Sequence, residues 1–189
     1  MEKELAHSFN IQLSPEILGA LKREQEKLSK LFSEQRFYDS SPHLAIATKF
    51  MSEPFSQEFI TALKKEFDDD ASWWLGFSDF KPAQTNDYIF LHLNAESRQK
   101  MFELHERAFR TTRAIGFEKP DSGKFRHFDY DPHISIIKVA PENLEKALAT
   151  LKNDMSAIKM PVTKYVITRQ TDDEKGFATF PIVCEISLK

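Results

Sequence analysis

Two short stretches carry residue types suited to acid–base chemistry: "SPHLAIATKF", Ser41 to Phe50, and "DPHISIIKV", Asp131 to Val139. Each places a histidine directly after a proline and before an apolar residue, and the second adds Ser135 two positions beyond His133. Histidine titrates near neutrality, so one imidazole can take a proton while another gives one. Facing one cavity, His43 and His133 would suit phosphodiester cleavage. The neutral ring accepts the proton of an attacking hydroxyl or water, and the imidazolium protonates the departing oxygen. The Ser135 hydroxyl would donate to a non-bridging phosphate oxygen as negative charge develops there. This scheme uses no metal and no cofactor, and neither the remaining histidines nor the carboxylates show metal-ligand spacing. One histidine beside one serine is ordinary on a half-buried strand. The repeat of the Pro-His start gives the pair its weight.

Both stretches read as strands. Strict alternation puts His43, Ala45 and Ala47 on one face, and His133, Ser135 and Ile137 on another, with Leu44, Ile46, Ile134 and Ile136 turned into apolar packing. The same rule points Thr48 and Lys138 away from the histidine faces. Pro42 and Pro132 restrict the entrance to each strand. Around them, "HSFNIQL" alternates as a strand, and Ser14-Pro15 opens a charged helix running to about Phe32. "EPFSQEFITALKKEF" and "ESRQKMFELHERAFRTT" are amphipathic helices, the second with His105 on its surface, and "SWWLGFSDF" and "YIFLHLN" are strands. His92, within "YIFLHLN", fits a core or a lobe-interface position equally. A helix after Pro141, a strand from Val162 to Arg169 and a closing strand in "FATFPIVCEISL" complete the chain. Strands interleaved with helices in two similar halves make an α+β fold.

The 189 residues suit a single domain over 1–189. Cys184 is the only cysteine, so no intramolecular disulfide forms. "MEKELAHSFN" lacks a basic region followed by a long apolar run, and no stretch is long enough to span a bilayer. These features point to a cytoplasmic protein without a membrane partner. A formal charge of −3 argues against a protein that coats nucleic acid, but leaves room for a short oligonucleotide in a local basic pocket.

The paired motifs resemble the 2H phosphoesterase superfamily, which holds RNA 2′,3′-cyclic phosphodiesterases and 2′-5′ RNA ligase-like proteins. Its hallmark is a pair of His-x-Thr/Ser motifs. His133-Ile134-Ser135 fits in full, whereas His43-Leu44-Ala45 fits at the histidine and the apolar position. The resemblance runs from about Phe9 to Leu188. It implies two pseudo-symmetric lobes with antiparallel or mixed sheets forming a central cleft, helices packed outside, and the active site between the lobes. It further implies a monomer acting on short RNA or a cyclic oligonucleotide. The departure at Ala45 removes a hydroxyl that family members use to hold the phosphate. It keeps open an alternative, a catalytically weakened RNA- or nucleotide-binding module derived from the fold.

Ligand recognition is expected from the loops before each motif. In "GKFRHFDYD", Lys124 or Arg126 would meet a terminal phosphate, and Phe128 or Tyr130 would stack on a base. Arg36 and Tyr38, in "EQRFYDS", are the matching candidates before the first motif.

Overall fold

The computed structural model describes residues 4–32, 42–83, 88–116, 130–151, 158–172 and 178–189. In chain order its elements are β1 (Leu5–Ile11), α1 (Pro15–Phe32), β2 (Leu44–Met51), α2 (Glu53–Phe67), β3 (Trp73–Pro82), β4 (Tyr88–Leu93), α3 (Ala95–Ala114), β5 (His133–Lys138), α4 (Leu144–Thr150), β6 (Lys159–Val162), β7 (Lys164–Arg169), β8 (Thr171–Asp172), β9 (Ala178–Thr179) and β10 (Ile182–Ser187). Eight strands form one sheet in the order β10-β7-β1-β2-β5-β4-β3-β6, with every pairing antiparallel, while β8 and β9 make a separate small ribbon.

The expected α+β architecture of two pseudo-symmetric halves is present, carried by a continuous sheet. The halves β10-β7-β1-β2 and β5-β4-β3-β6 meet where β2 pairs with β5, at the register Leu44 to Ile134. The strand expected over Val162 to Arg169 is two strands. β6 pairs with β3 at one sheet edge and β7 pairs with β1 near the other, so the chain crosses the molecule between Val162 and Lys164.

Apolar side chains from the helix-covered face close the core. Leu44, Leu91 and Ile134 lie side by side across β2, β5 and β4, each completely buried. Burying such a side chain stabilises by about 1.5–3 kcal/mol, so this row pins the junction of the halves and fixes which residues face the other way. Leu21 and Leu28 of α1, Phe59, Leu63 and Phe67 of α2, and Met101, Leu104 and Ala108 of α3 pack into the same core. α3 starts with the Asn94 carboxamide accepting from Ser97 N at 2.8 Å. That carboxamide occupies the space a Cβ on Gly76 would fill, so glycine lets β3 and the start of α3 approach closely.

Candidate active site

An antiparallel sheet sets directly opposed residues on the same face. β2 meets β5 with Leu44 opposite Ile134; antiparallel geometry extended one residue each way sets position 43 across from Ser135 and Ala45 across from His133. β4 extends both rows, because His92 pairs with His133 and Phe90 with Ser135. One face of the sheet therefore carries two parallel rows, Ala45–His133–His92 and His43–Ser135–Phe90. The two motif histidines are diagonal neighbours in this grid, a relation that puts such residues roughly 7–8 Å apart. One phosphate group fits between imidazoles so placed.

Both motif strands break their alternation immediately after the motif. In β2 the register against β1 runs Ala45 to Asn10 and then Ala47 to Phe9, which leaves Ile46 as an extra residue. In β5 the register against β4 runs Ser135 to Phe90 and then Ile137 to Ile89, which leaves Ile136 as the extra. These matched bulges overturn the faces expected from strict alternation. Ala47 and Ile137 turn into the core, while Thr48 and Lys138 share the face of Ala45 and Ser135.

A bulge frees backbone carbonyls from the ladder, and buried carbonyls need partners. In β2, His105 Nδ1 donates to the Ile46 carbonyl at 2.7 Å, and the Tyr130 hydroxyl donates to the Ala45 carbonyl at 2.9 Å. The two rings lie flat on each other, with centroids 4.0 Å apart and an interplanar angle of 5°. In β5, Gln25 Nε2 from α1 donates to the Ile136 carbonyl at 2.7 Å. A helix side chain thus holds each bulge at the equivalent place. His105 is therefore half-buried and structural, not the surface residue its charged neighbours Glu106 and Arg107 suggested.

His133 is held from two directions. Its Nδ1 lies 2.6 Å from the Asp131 carbonyl, an acceptor only, so Nδ1 carries the proton and Nε2 presents its lone pair. Phe90 stacks on its ring with centroids 3.7 Å apart and an interplanar angle of 17°. Burial pulls the His133 pKa below the ordinary histidine value; the Asp131 carbonyl and carboxylate push it up, and the charges of His92 and His43 push it down again. Arg98 Nη2 sits 3.1 Å from Asp131 Oδ1, a charge contact that is not aligned as a hydrogen bond. His92 is likewise lowered, chiefly by burial. His43 stands at the entrance to β2 and is exposed.

The strands flanking the motif strands line the same face with different chemistry. Beside β2, the Thr48 hydroxyl donates to Ser8 Oγ (3.0 Å), which donates to Asn10 Oδ1 (2.9 Å), while Asn10 Nδ2 reaches Thr168 Oγ1 (3.3 Å). Beside β5, Tyr88, Phe90 and His92 follow at alternate positions of β4, with successive ring centroids 6.2 Å apart.

The 2′-5′ RNA ligase superfamily profile matches residues 13–174. The chain belongs to the 2′-5′ RNA ligase superfamily. Its fold is similar to that of Escherichia coli LigT complexed with phosphate, at 13% identity and a TM-score of 0.70 over 100% of this chain and 99% of that one. A Thermus thermophilus protein is similar at 16% identity and a TM-score of 0.64, over 96% and 97% of the two chains. Kluyveromyces marxianus Usb1 is similar at 10% identity and a TM-score of 0.56, over 99% of each. No curated protein matches the sequence.

As a member of this superfamily, the chain brings its two motifs onto one face of one sheet, with Ser135 beside His43. Tyr130, expected to stack on a base, instead has its hydroxyl on the Ala45 carbonyl and one ring face against His105. Arg36, Tyr38, Lys124, Arg126 and Phe128 lie outside the described residues. Sequence reasoning did not single out Phe90, and it left His92 without a place in the cleft. Their spacing of two within "YIFLHLN" marks them as sharing a face, but only the pairing of β4 with β5 turns that face toward His133. His7 is fully buried on the opposite face, with Nδ1 donating to the Leu5 carbonyl at 3.1 Å and Nε2 accepting from Ser56 Oγ at 2.7 Å. Among the described residues, no helix is long and apolar enough to cross a membrane.

Proposed function

We propose that this protein is a metal-independent phosphodiesterase that hydrolyses 2′,3′-cyclic phosphate, 2′-5′-linked or cyclic oligonucleotide substrates with His43 and His133 as its catalytic residues. One observation supports the reading: the register of Leu44 opposite Ile134, which, extended along the strands, sets positions 43 and 133 diagonally on one sheet face with Ser135 across from position 43. Water attacks phosphorus and loses its proton to His133 Nε2. The ribose oxygen leaves as the P–O bond breaks, and it takes a proton from the His43 imidazolium. The Ser135 hydroxyl donates to a non-bridging oxygen. His133 suits the base role because Nδ1 is fixed on the Asp131 carbonyl and burial favours the neutral ring. LigT, which has a similar fold, has been crystallised with 3′-AMP, which supports a nucleotide ligand here.

The test is turnover of the three substrate classes with a chelator present, comparing the native protein with His43→Ala and His133→Ala. Loss of activity in both variants is expected. Full activity in both would sink the mechanism, and abolition of native activity by the chelator would sink metal independence.

Ala45 favours a second reading, a binding module that has lost turnover. Alanine offers the phosphate neither donor nor acceptor at the position that the Leu44–Ile134 register, extended by one residue, sets across from His133. Nucleotide binding without turnover across the whole panel would select it.

A further inference from the structure

The two sides of the cleft differ in a way that bears on how a nucleotide lies in it. On the β1 side, Ser8, Asn10, Thr48 and Thr168 are small or polar and bonded to one another. On the β4 side, Tyr88, Phe90 and His92 form a ladder of three rings, each only partly buried. Two cations flank that ladder. Lys81 is exposed and pairs across from Phe90, and the Lys138 ammonium lies 5.4 Å from the centre of the Tyr88 ring. Rings spaced two residues apart on a strand offer π-faces to a planar ligand, and flanking cations favour an anionic one. One face of Phe90 is taken by His133, so its opposite face looks away from the imidazole.

We propose that Tyr88, Phe90 and His92 form a nucleobase subsite, which receives the base of the nucleotide whose phosphate lies between His43 and His133. This rests on the functional reading above and adds its orientation. The base packs on the β4 side, and the β1 side takes sugar and phosphate oxygens without stacking. Phe90 then lies between the base and the His133 imidazole, so base binding and the posture of the catalytic ring are coupled. The ladder accepts any base, because every base has a π-face, whereas His92 at its end is the position able to hydrogen-bond a base edge and discriminate.

Equilibrium titration calorimetry of the full chain tests this with adenosine 3′-monophosphate and a base-free analogue, methyl ribofuranoside 3-phosphate. The native protein is expected to bind the nucleotide about tenfold or more tightly than the analogue. Tyr88→Leu should erase much of that preference while leaving the analogue's affinity within about twofold, and Phe90→Leu should erase it while also weakening the analogue, because it removes the ring that packs on His133. His92→Ala, a milder change should either ring variant fail to fold, should reduce nucleotide affinity selectively. Equal affinity of the native protein for both ligands, or no measurable nucleotide binding, overturns the subsite. Loss of the base preference in Asn10→Ala but not in the β4 variants overturns it as well, by placing the base on the other side. Failure of the catalytic reading is distinguishable: a persistent, β4-dependent base preference in a protein that turns nothing over leaves the subsite standing and removes the hydrolysis.

Discussion

The β1–β2 half of the sheet face that carries the motifs and the β4–β5 half share a backbone and differ in side chains. Each places a histidine at the mouth of a strand, a small residue two positions on, and a bulge immediately after. Equivalent positions then diverge: Ala45 matches Ser135, Thr48 matches Lys138, Asn10 matches Phe90 and Ser8 matches Tyr88. The shared part aims the imidazoles. The divergent part sets what each wall can hold, polar and self-satisfied on one side, aromatic and cationic on the other. Pseudo-symmetry thus supplies two equivalent histidine positions, and on the proposed mechanism the asymmetry decides which ring is acid and which is base. The ring that is stacked, half-buried and fixed at Nδ1 is His133, and the exposed one is His43.

The sharpest way to break that distinction is to remove each ring in turn. His133→Ala should lower kcat by about 10²–10⁴-fold, the range for a positioned acid or base. His43→Ala should cost as much with an ordinary substrate and much less with one carrying an activated leaving group, which needs no acid. The opposite rescue would exchange the two roles. The acid limb of the native pH–rate profile should lie below the ordinary histidine range, since burial keeps His133 neutral to lower pH. Stability follows the same sign. Burial lowers the pKa of His7, His92 and His133 in the folded state, so the unfolded chain binds those protons first. Stability is therefore full above the ordinary value of 6.5 and falls as pH drops from 6.5 toward the folded values. Denaturant melts at pH 7.5 and 5.5 should show the loss, and His7→Gln should flatten the slope.

A smaller effect is expected at the serine. Ser135→Ala removes the hydroxyl proposed to contact the phosphate, where the β2 motif has Ala45, and should reduce kcat by up to about 10²–10³-fold while leaving the melting midpoint nearly unchanged. A kinetically silent variant would show that the hydroxyl does not touch the phosphate, and the two halves would then be equivalent at this position too.

Much of this arrangement was legible in the chain. The α+β class, the two halves and the motif strands follow from periodicity and from the repeated Pro-His start, because those are local properties. The bulges defeated strict alternation at Thr48 and Lys138, although a signal was present. Ile46-Ala47 and Ile136-Ile137 are consecutive apolar pairs, which an unbroken half-buried strand does not place side by side. The jobs of His105, Tyr130 and Gln25 were not legible. Each answers a carbonyl freed by a bulge on a strand distant in sequence, and nothing local reports that demand. The same holds for Phe90 and His92, whose shared face is visible in "YIFLHLN" but whose neighbour is set by long-range pairing.

The supports of the two bulges give a further comparison, now in stability. Two side chains hold carbonyls in β2, His105 and Tyr130, whereas one described side chain, Gln25, holds the β5 bulge. His105→Phe keeps the ring on Tyr130 but leaves the Ile46 carbonyl without its donor, and Tyr130→Phe does the same at Ala45. Each should destabilise by about 1–3 kcal/mol in denaturant melts. Gln25→Leu should sit at the lower end of that range, since Gln25 is only partly buried and water can reach the carbonyl more easily. If Gln25→Leu costs more than His105→Phe, the β5 bulge is the more strained of the two.

The smallest expected effect comes from repairing the asymmetry. Ala45→Ser places a hydroxyl at the position equivalent to Ser135, on the same face and across from His133. Serine suits the site better than threonine because Asn10 lies directly opposite and is itself buried, so an added methyl would crowd it. Folding stability should move little, as Ala45 is only partly buried and its carbonyl keeps the Tyr130 bond, which involves no side-chain atom of residue 45. For a 2′,3′-cyclic phosphate, the new donor would add one neutral hydrogen bond to the two imidazole contacts and the Ser135 contact of the proposed mechanism. Such a bond contributes roughly 0.5–1.5 kcal/mol, so kcat/KM should rise a few-fold or stay level. A large loss would instead mean that the space beside Ala45 is occupied by substrate, and that the chain has exchanged a phosphate contact for room on the β1 side of the cleft.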